Sequence, residues 1–304
     1  MLSTLLTMAW AGSGPWVVAE GDANVYVGAE TQRIEQLVLA DGTFVEGGLV
    51  DVDEGLTKFG LQAIVSYGLL PNFELEATVP WYFVRANRED GAVCASLGPG
   101  SCATTNGVGI LSTRARLQLL NEIYGPPLSL SLGAELRYGD FTAATRSRVT
   151  NLGEGTVDLG PQISIGRSGG LGKKGYWYSF LDAGWRYRFP TIHGDGTNIP
   201  GSEVYGELDW VAVPDGRFGF GPSFTLFWRP EGVDFGAGDL TDVDRFAALR
   251  VLNVQVGGKI SVRSSKNVTF NASFFRSLYA ENNPLLTSIN VGVSISELRR
   301  KRGE

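Results

Sequence analysis

Residues 57–83 read TKFGLQAIVSYGLLPNFELEATVPWYF, and the alternation in this stretch decides the fold. Ahead of the turn Tyr67-Gly68-Leu69-Leu70-Pro71-Asn72, the residues Thr57, Phe59, Leu61, Ala63, Val65 and Tyr67 share one face. Lys58, Gly60, Gln62, Ser66 and Gly68 share the other, with Ile64 the single apolar intruder. Beyond the turn, Phe73, Leu75, Ala77, Val79, Trp81 and Phe83 oppose Glu74, Glu76, Thr78 and Tyr82. Successive side chains of a strand point to opposite faces, so this period of two predicts a hairpin of two long strands.

The pattern recurs down the chain. Leu111, Thr113, Ala115, Leu117 and Leu119 oppose Arg114, Arg116 and Gln118; Leu128 to Tyr138 carries Glu135 and Arg137 on its polar face. Val157 to Ile165 carries Asp158 and Gln162, and Trp177 to Phe189 carries Asp182, Arg186 and Arg188. Val204 to Ala212 carries Glu207 and Asp209, Phe218 to Trp228 is followed by Arg229, and Leu252 to Val262 carries Lys259. Val268 to Phe274 and Leu285 to Ile295 follow, and a weaker first strand surrounds Val25 and Val27. The sum is about twelve strands, an even number, joined alternately by short turns and long polar loops.

A soluble β-sandwich also alternates, but its strands average about 5 to 6 residues, whereas a strand tilted across a bilayer needs about 9 to 11. These strands have the longer measure. Their apolar face carries no charge at mid-strand, and the opposite face is rich in Gly and Ser, as a curved wall around a lumen requires. Aromatics collect at the ends: Phe73, Trp177 and Phe218 near short turns, and Trp81, Phe83, Trp185, Phe189 and Trp228 near long loops. Two such belts mark two membrane interfaces. The expected fold is all-β, a transmembrane antiparallel up-and-down barrel of about twelve strands, residing as a monomer in the outer membrane of a Gram-negative cell. Residues 12–296 form this single domain, since no linker interrupts the evenly spaced turns.

Composition excludes other classes. With two Cys and one His among 304 residues, a Cys/His zinc cluster cannot form, and no glycine-rich phosphate loop exists. No cofactor or metal is expected. A net charge of -6 speaks against a nucleic-acid partner, which needs a basic field. Residues 1–11, closing on Ala9-Trp10-Ala11, resemble a shortened signal peptide without its basic start. The tail 297–304, containing Arg299-Arg300-Lys301-Arg302, reads as a solvated periplasmic end. Cys94 and Cys102 share one polar loop, and an even Cys count in an exported chain predicts a disulfide. Alkylating the denatured, unreduced protein is therefore expected to label neither thiol.

The polar faces place Lys58, Arg114, Arg116, Arg137, Arg186, Arg188, Arg229 and Lys259 in the lumen with Glu74, Glu76, Glu135, Asp158, Asp182, Glu207 and Asp209. The signs nearly cancel, which predicts weak charge selectivity. The same groups can pair across strands, Arg114 and Arg116 with Glu135 for instance, and close the barrel; a dozen strands lie between the filled and the open sizes. Plug and passage therefore both stand. Acidic loops around Asp41, Glu46, Asp51, Asp53 and Glu54 and around Asp234, Asp239, Asp242 and Asp244 lack the spacing of a calcium loop and read as solvated. Phe44, Val45, Leu49 and Val50 suggest that the first long loop folds inward. Catalysis is not expected: His193 stands alone in Thr191-Ile192-His193-Gly194-Asp195, with no serine beside it for a Ser/His site.

The runs Tyr67-Gly68-Leu69, Asn72-Phe73-Glu74-Leu75-Glu76 and Val79-Pro80-Trp81 resemble the second hairpin of the outer-membrane barrels associated with the meta-cleavage pathway of phenol degradation. Trp16 followed by Glu20-Gly21 is similar to that family's leading segment. The resemblance covers residues 14–84. It departs at Ile110, where the family has Asp, and at the last strand, which ends in Ile295 and a basic tail instead of an aromatic. It implies an outer-membrane channel for small apolar or aromatic compounds. The competing expectation is a structural or adhesive barrel, conducting nothing, with a salt-bridged lumen.

Overall fold

A computed structural model describes residues 14–38, 56–86, 104–139, 156–190, 201–231, 250–281 and 283–296. Cys94, Cys102, His193, the acidic loop residues 41–54 and 234–244, residues 1–13 and the basic tail all lie outside the described residues.

The expected antiparallel barrel forms. Its wall begins with β1 (Ala23–Val38), β2 (Leu56–Leu70) and β3 (Phe73–Ala86), continues through β4 (Thr105–Val108), β5 (Leu111–Leu120), β6 (Ser129–Tyr138) and β7 (Thr156–Leu171), and then β8 (Gly175–Pro190). β9 (Glu203–Val213), β10 (Phe218–Arg229), β11 (Val251–Arg263), β12 (Val268–Glu281) and β13 (Asn283–Ile295) complete it. Each long strand pairs with the one before it and the one after it, and β1 pairs with β13 from Val25↔Ile295 to Val38↔Asn283, which closes the ring. The twelve long strands thus close on themselves, the condition for sheet to exist in lipid; among the described residues the short β4 pairs on one side only, with β3.

Twelve strands are long; β4 is short, and it continues β5 along the same edge of β3. The break falls at Gly109 and Ile110, beside Pro80. Pro80 has no N–H to donate, so the ladder cannot run through it, and its carbonyl instead accepts the Gly109 N–H at 2.9 Å. The sequence places Thr105 and Asn106 in a loop, because the apolar period is lost at this proline.

At the short-turn end, Asp215 shapes the β9–β10 connection by accepting the N–H groups of Arg217 at 2.8 Å and Phe218 at 2.7 Å, while Gly216 takes φ +74°. These two donors hold the Asp215 carboxyl below the ordinary aspartate range.

The two faces of the wall differ completely. Outward residues such as Leu132, Trp81 and Val291 are 46%, 51% and 51% exposed, whereas the inward Arg188 and Glu203 are 1% and 0% exposed. Phe218, Trp81, Phe83, Trp185, Phe189 and Trp228 all lie on the outer surface. An apolar coat of this extent is stable only against hydrocarbon, and the charged interior only inside a closed wall.

Candidate functional site: a charged lumen and the segment that enters it

Fourteen of the fifteen lumen candidates are buried inside the barrel: Lys58, Glu74, Glu76, Arg116, Glu135, Arg137, Asp158, Asp182, Arg186, Arg188, Glu207, Asp209, Arg229 and Lys259. The fifteenth, the Arg114 side chain, is 13% exposed. Strand register brings the partners together. Glu74 stands opposite Arg116 and Glu76 opposite Arg114 across β3 and β5, and Arg114 stands opposite Glu135 across β5 and β6.

Arg114 accordingly bridges Glu76 and Glu135, at 3.5 Å to each. Arg116 departs from the expected pairing: its Nε donates to Glu74 Oε1 at 2.8 Å, because its cross-strand neighbour on the other side is Gly133. Towards the long-loop end a larger cluster forms around Glu203, which the sequence reading passes over. Its carboxylate meets Arg229 at 2.6 Å, Arg188 at 3.3 Å, Arg186 at 3.5 Å and Arg137 at 3.6 Å. Arg186 also reaches Glu135 at 2.7 Å and lies 3.6 Å from the centre of the Tyr205 ring. Glu30, equally unforeseen, faces Lys58 at 3.7 Å, and the Lys58 ammonium sits 3.4 Å over the Tyr82 ring. Among the described residues, Glu30 and Glu203 thus join the seven expected acids inside the barrel.

A lattice of buried pairs gives little net stability, because each ion loses its hydration, but removing one member strands the others. The lattice therefore holds the lumen side chains in one arrangement and makes the interior intolerant of single charge changes.

Ahead of β1, residues 20–22 still bond to β2 at Gly68, and the chain before them leaves the wall. At the short-turn end, Gly21 N–H donates to Gly68 O at 2.8 Å, and from there residues 14–19 run up inside the barrel. Val18 N–H donates to the free oxygen of Glu74, Oε2, at 2.7 Å. Gly14 is clasped from two sides: its N–H donates to Asp182 Oδ2 at 3.1 Å and its carbonyl accepts from Arg116 Nη1 at 2.6 Å. Three of the lumen charges thus hold backbone of the entering segment. Trp16 meets Tyr178 and Phe180 edge-on, with centroids 6.2 and 6.4 Å apart.

Glycine makes room for this segment. Gly14 takes φ +88°, where a side chain is strained, and a Cβ there would come within 3.1 Å of Phe180. A Cβ on Gly166 would approach Pro15 Cδ to 2.9 Å and Ser179 O to the same distance. Gly166→Val is expected to crowd both Pro15 and the β8 backbone at Ser179, loosening the entering segment at some cost to the wall beside it. Limited proteolysis would then clip the N-terminus, which stays protected in the parent; equal protection in both proteins would place Pro15 elsewhere.

Below the salt-bridge lattice, at the short-turn end, the inward face turns aromatic. Tyr176, Tyr178 and Phe180 stack along β8, with successive centroids 6.4 and 6.5 Å apart and planes 23° and 7° apart. Together with Trp16, Asp209 and Lys259 they line a cavity of about 330 Å³. A more polar cavity of about 210 Å³ shares Tyr176 and Tyr178 and reaches Asn24, Ser261 and Asn271. Among the described residues no group of His, Cys, Asp and Glu is arranged to hold a metal.

The class these features define is the outer-membrane β-barrel, here with twelve long strands, a salt-bridged lumen and an inward-running N-terminal segment. No protein-family model matches the sequence, and no curated protein matches it. Among solved structures, the chain is similar to the COG4313 outer membrane channel from Pseudomonas putida F1, with a TM-score of 0.67 and 18% identity over 94% of this chain and 98% of that one. The NanC porin overlaps at a TM-score of 0.46 with 10% identity, covering 90% of this chain and 98% of that one. At these identities the likeness is one of fold.

Proposed function

We propose that this protein is an outer-membrane channel for small solutes, apolar and aromatic ones among them, whose passage is narrowed by its own N-terminal segment. The observation that carries the reading is the attachment of that segment. Residues 14–18 are held in the lumen through Gly14 and Val18 by single hydrogen bonds to Asp182, Arg116 and Glu74, so they can leave without breaking any pair of the wall. The aromatic cavity at the short-turn end and the resemblance at residues 67–81 support aromatic solutes, and the similar channel from Pseudomonas putida F1 supports conduction as such. The short turns would face the periplasm.

The second reading, a barrel that conducts nothing, rests on the Glu203 cluster, where four arginines and one carboxylate fill the lumen. Reconstitution separates the two. The channel reading expects small, ohmic single-channel currents in a planar bilayer and faster entry of benzyl alcohol than of a sugar into proteoliposomes. It also expects Arg114→Ser/Arg116→Ser to shift selectivity toward cations, because two positive charges leave a confined space. A silent bilayer, with proteoliposomes no leakier than protein-free ones, would establish the closed barrel. Recovery of the mature chain as a soluble monomer, without heat-modifiable gel mobility, would remove both.

A further inference from the structure

We infer that the β7–β8 hairpin carries, on its lipid-facing side at the short-turn end, a binding site for the phosphate of an anionic phospholipid of the inner leaflet, formed by Arg167, Trp177, Lys173 and Lys174. The inference goes beyond the channel reading and shares with it only the orientation of the short turns toward the periplasm.

Register places the four side chains together. Ile163 and Ile165 face outward and are exposed, so Arg167 continues the lipid face of β7, as Trp177 shares that of the exposed Leu181 on β8. Arg167 stands opposite Ser179, and Gly169, two residues nearer the turn, stands opposite Trp177. The indole lies across Gly169: a Cβ there would come within 2.7 Å of Trp177 Nε1, so the indole N–H sits over the same face of β7 as Arg167. Lys173 and Lys174 make the exposed turn just beyond. One flank stands clear, because β6 follows β7 only as far as Ser129↔Gly166.

Chemistry supplies the ligand class. Arg, Lys and Trp side chains donate hydrogen bonds and accept none, and among the described residues none of these four makes a side-chain hydrogen bond or ion pair. The nearby acids are committed to backbone: Glu122 takes the Ser168 N–H, at 2.9 and 3.0 Å to its two oxygens, and Asp215 takes those of Arg217 and Phe218. Three cations and an indole N–H at a membrane interface suit a phosphate that keeps its negative charge. Toward the midplane, Ile165, Leu181 and Leu208 pair in one exposed row across β7, β8 and β9, an apolar track for acyl chains that a free phosphate does not need. Across the barrel the same rim carries Glu20 and Asp22, and residues 66–74 around the β2–β3 turn include no cation, so the basic sector is local.

Native mass spectrometry of the intact barrel in detergent, titrated with phosphatidylglycerol and in parallel with phosphatidylethanolamine, reads the site. The first phosphatidylglycerol is expected to bind about tenfold tighter than the first phosphatidylethanolamine, whose ammonium the cations repel. A cation near a lipid surface is worth about fivefold, so Arg167→Gln should cut this preference about fivefold, and Lys173→Gln/Lys174→Gln should abolish most of it. Trp177→Phe keeps a ring in the interfacial belt, removes the N–H, and should weaken phosphatidylglycerol about threefold. Arg33→Gln removes an equal charge from an exposed position toward the long-loop end of β1, and should leave the preference unchanged.

The readout is a ratio of two lipids on one protein, so a variant with a perturbed barrel moves both and leaves the ratio in place. Equal binding of the two lipids by the parent overturns the inference. So does an Arg167→Gln barrel that keeps the parent's preference, or an Arg33→Gln barrel that loses as much of it. Millimolar glycerol phosphate, which lacks acyl chains, should displace no lipid; displacement would make this a site for soluble phosphate, and the lipid assignment falls. A silent planar bilayer removes the channel and leaves this site standing, while equal lipid binding removes this site and leaves the channel.

Discussion

The Glu203→Gln barrel is expected to lose about 3–5 kcal/mol of stability, the largest effect of any single side chain in the lumen. In the parent, Arg137, Arg186, Arg188 and Arg229 all converge on this one carboxylate, between 2.6 and 3.6 Å away. Arg186 keeps Glu135, and Arg137 and Arg188 keep Asp158, but the carboxylate common to all four is gone. Four guanidinium groups would then repel one another in a space with little water to screen them. The denaturant midpoint in lipid vesicles, followed by heat-modifiable gel mobility, measures the loss. Removing one cation together with the acid, as in Glu203→Gln/Arg229→Gln, should recover part of it, and the double-mutant cycle should show a coupling of about 0.5–3 kcal/mol. A single variant as stable as the parent would mean that the four arginines are solvated independently of Glu203.

Deleting residues 14–19 is expected to raise single-channel conductance several-fold while leaving the gel mobility of the folded barrel unchanged. The deletion takes away Trp16 and the Gly14 and Val18 backbone held by Asp182, Arg116 and Glu74, none of which belongs to the wall. Arg116 and Glu74 keep each other, while Asp182 exchanges the Gly14 N–H for water that enters the widened lumen. The Glu203 cluster still crosses the long-loop half, so conductance should rise to a finite ceiling. Combining the deletion with Arg229→Gln, which thins that cluster, should lift it further. A deletion that changes no current would place the constriction wholly among the salt bridges and retire the segment as the narrowing element.

What was legible in the sequence was whatever obeys a period of two. The hairpin of residues 57–83 shows its lipid face as Phe59, Leu61 and Trp81 and its lumen face as Lys58, Glu74 and Tyr82, because one-sided burial in a barrel admits no slip of register. The missing parts lie where that period fails or begins. Glu203 is the first residue of β9, so the alternation that starts at Val204 leaves it looking like loop. Tyr176, Tyr178 and Phe180 are interleaved with Trp177 beside a short turn, and with aromatics on both faces the contrast between lumen and lipid vanishes. The partners of Gly14 are Arg116 and Asp182, far along the chain, and nothing local in residues 14–19 announces that they point into the barrel. Glu30 sits in the weakest of the expected strands, where the apolar face is thinned by Ala29 and Thr31.

The ring is sealed by Val25↔Ile295 and the pairs above it, which join the first strand of the chain to its last. Contacts between distant residues form slowly, because the intervening loop entropy is lost before they reward it. Hairpins such as β2–β3 can assemble early and locally, whereas the β1–β13 seam must wait for the whole chain. The residues just ahead of β1 are anchored to β3, β5 and β8 on the inside of that seam. They must be swept in with β1 as the ring shuts, or thread the short-turn mouth afterwards. Biogenesis thus has a final step of its own, and a bulky fusion placed directly before Gly14 should delay maturation of this barrel far more than the same fusion after the last strand.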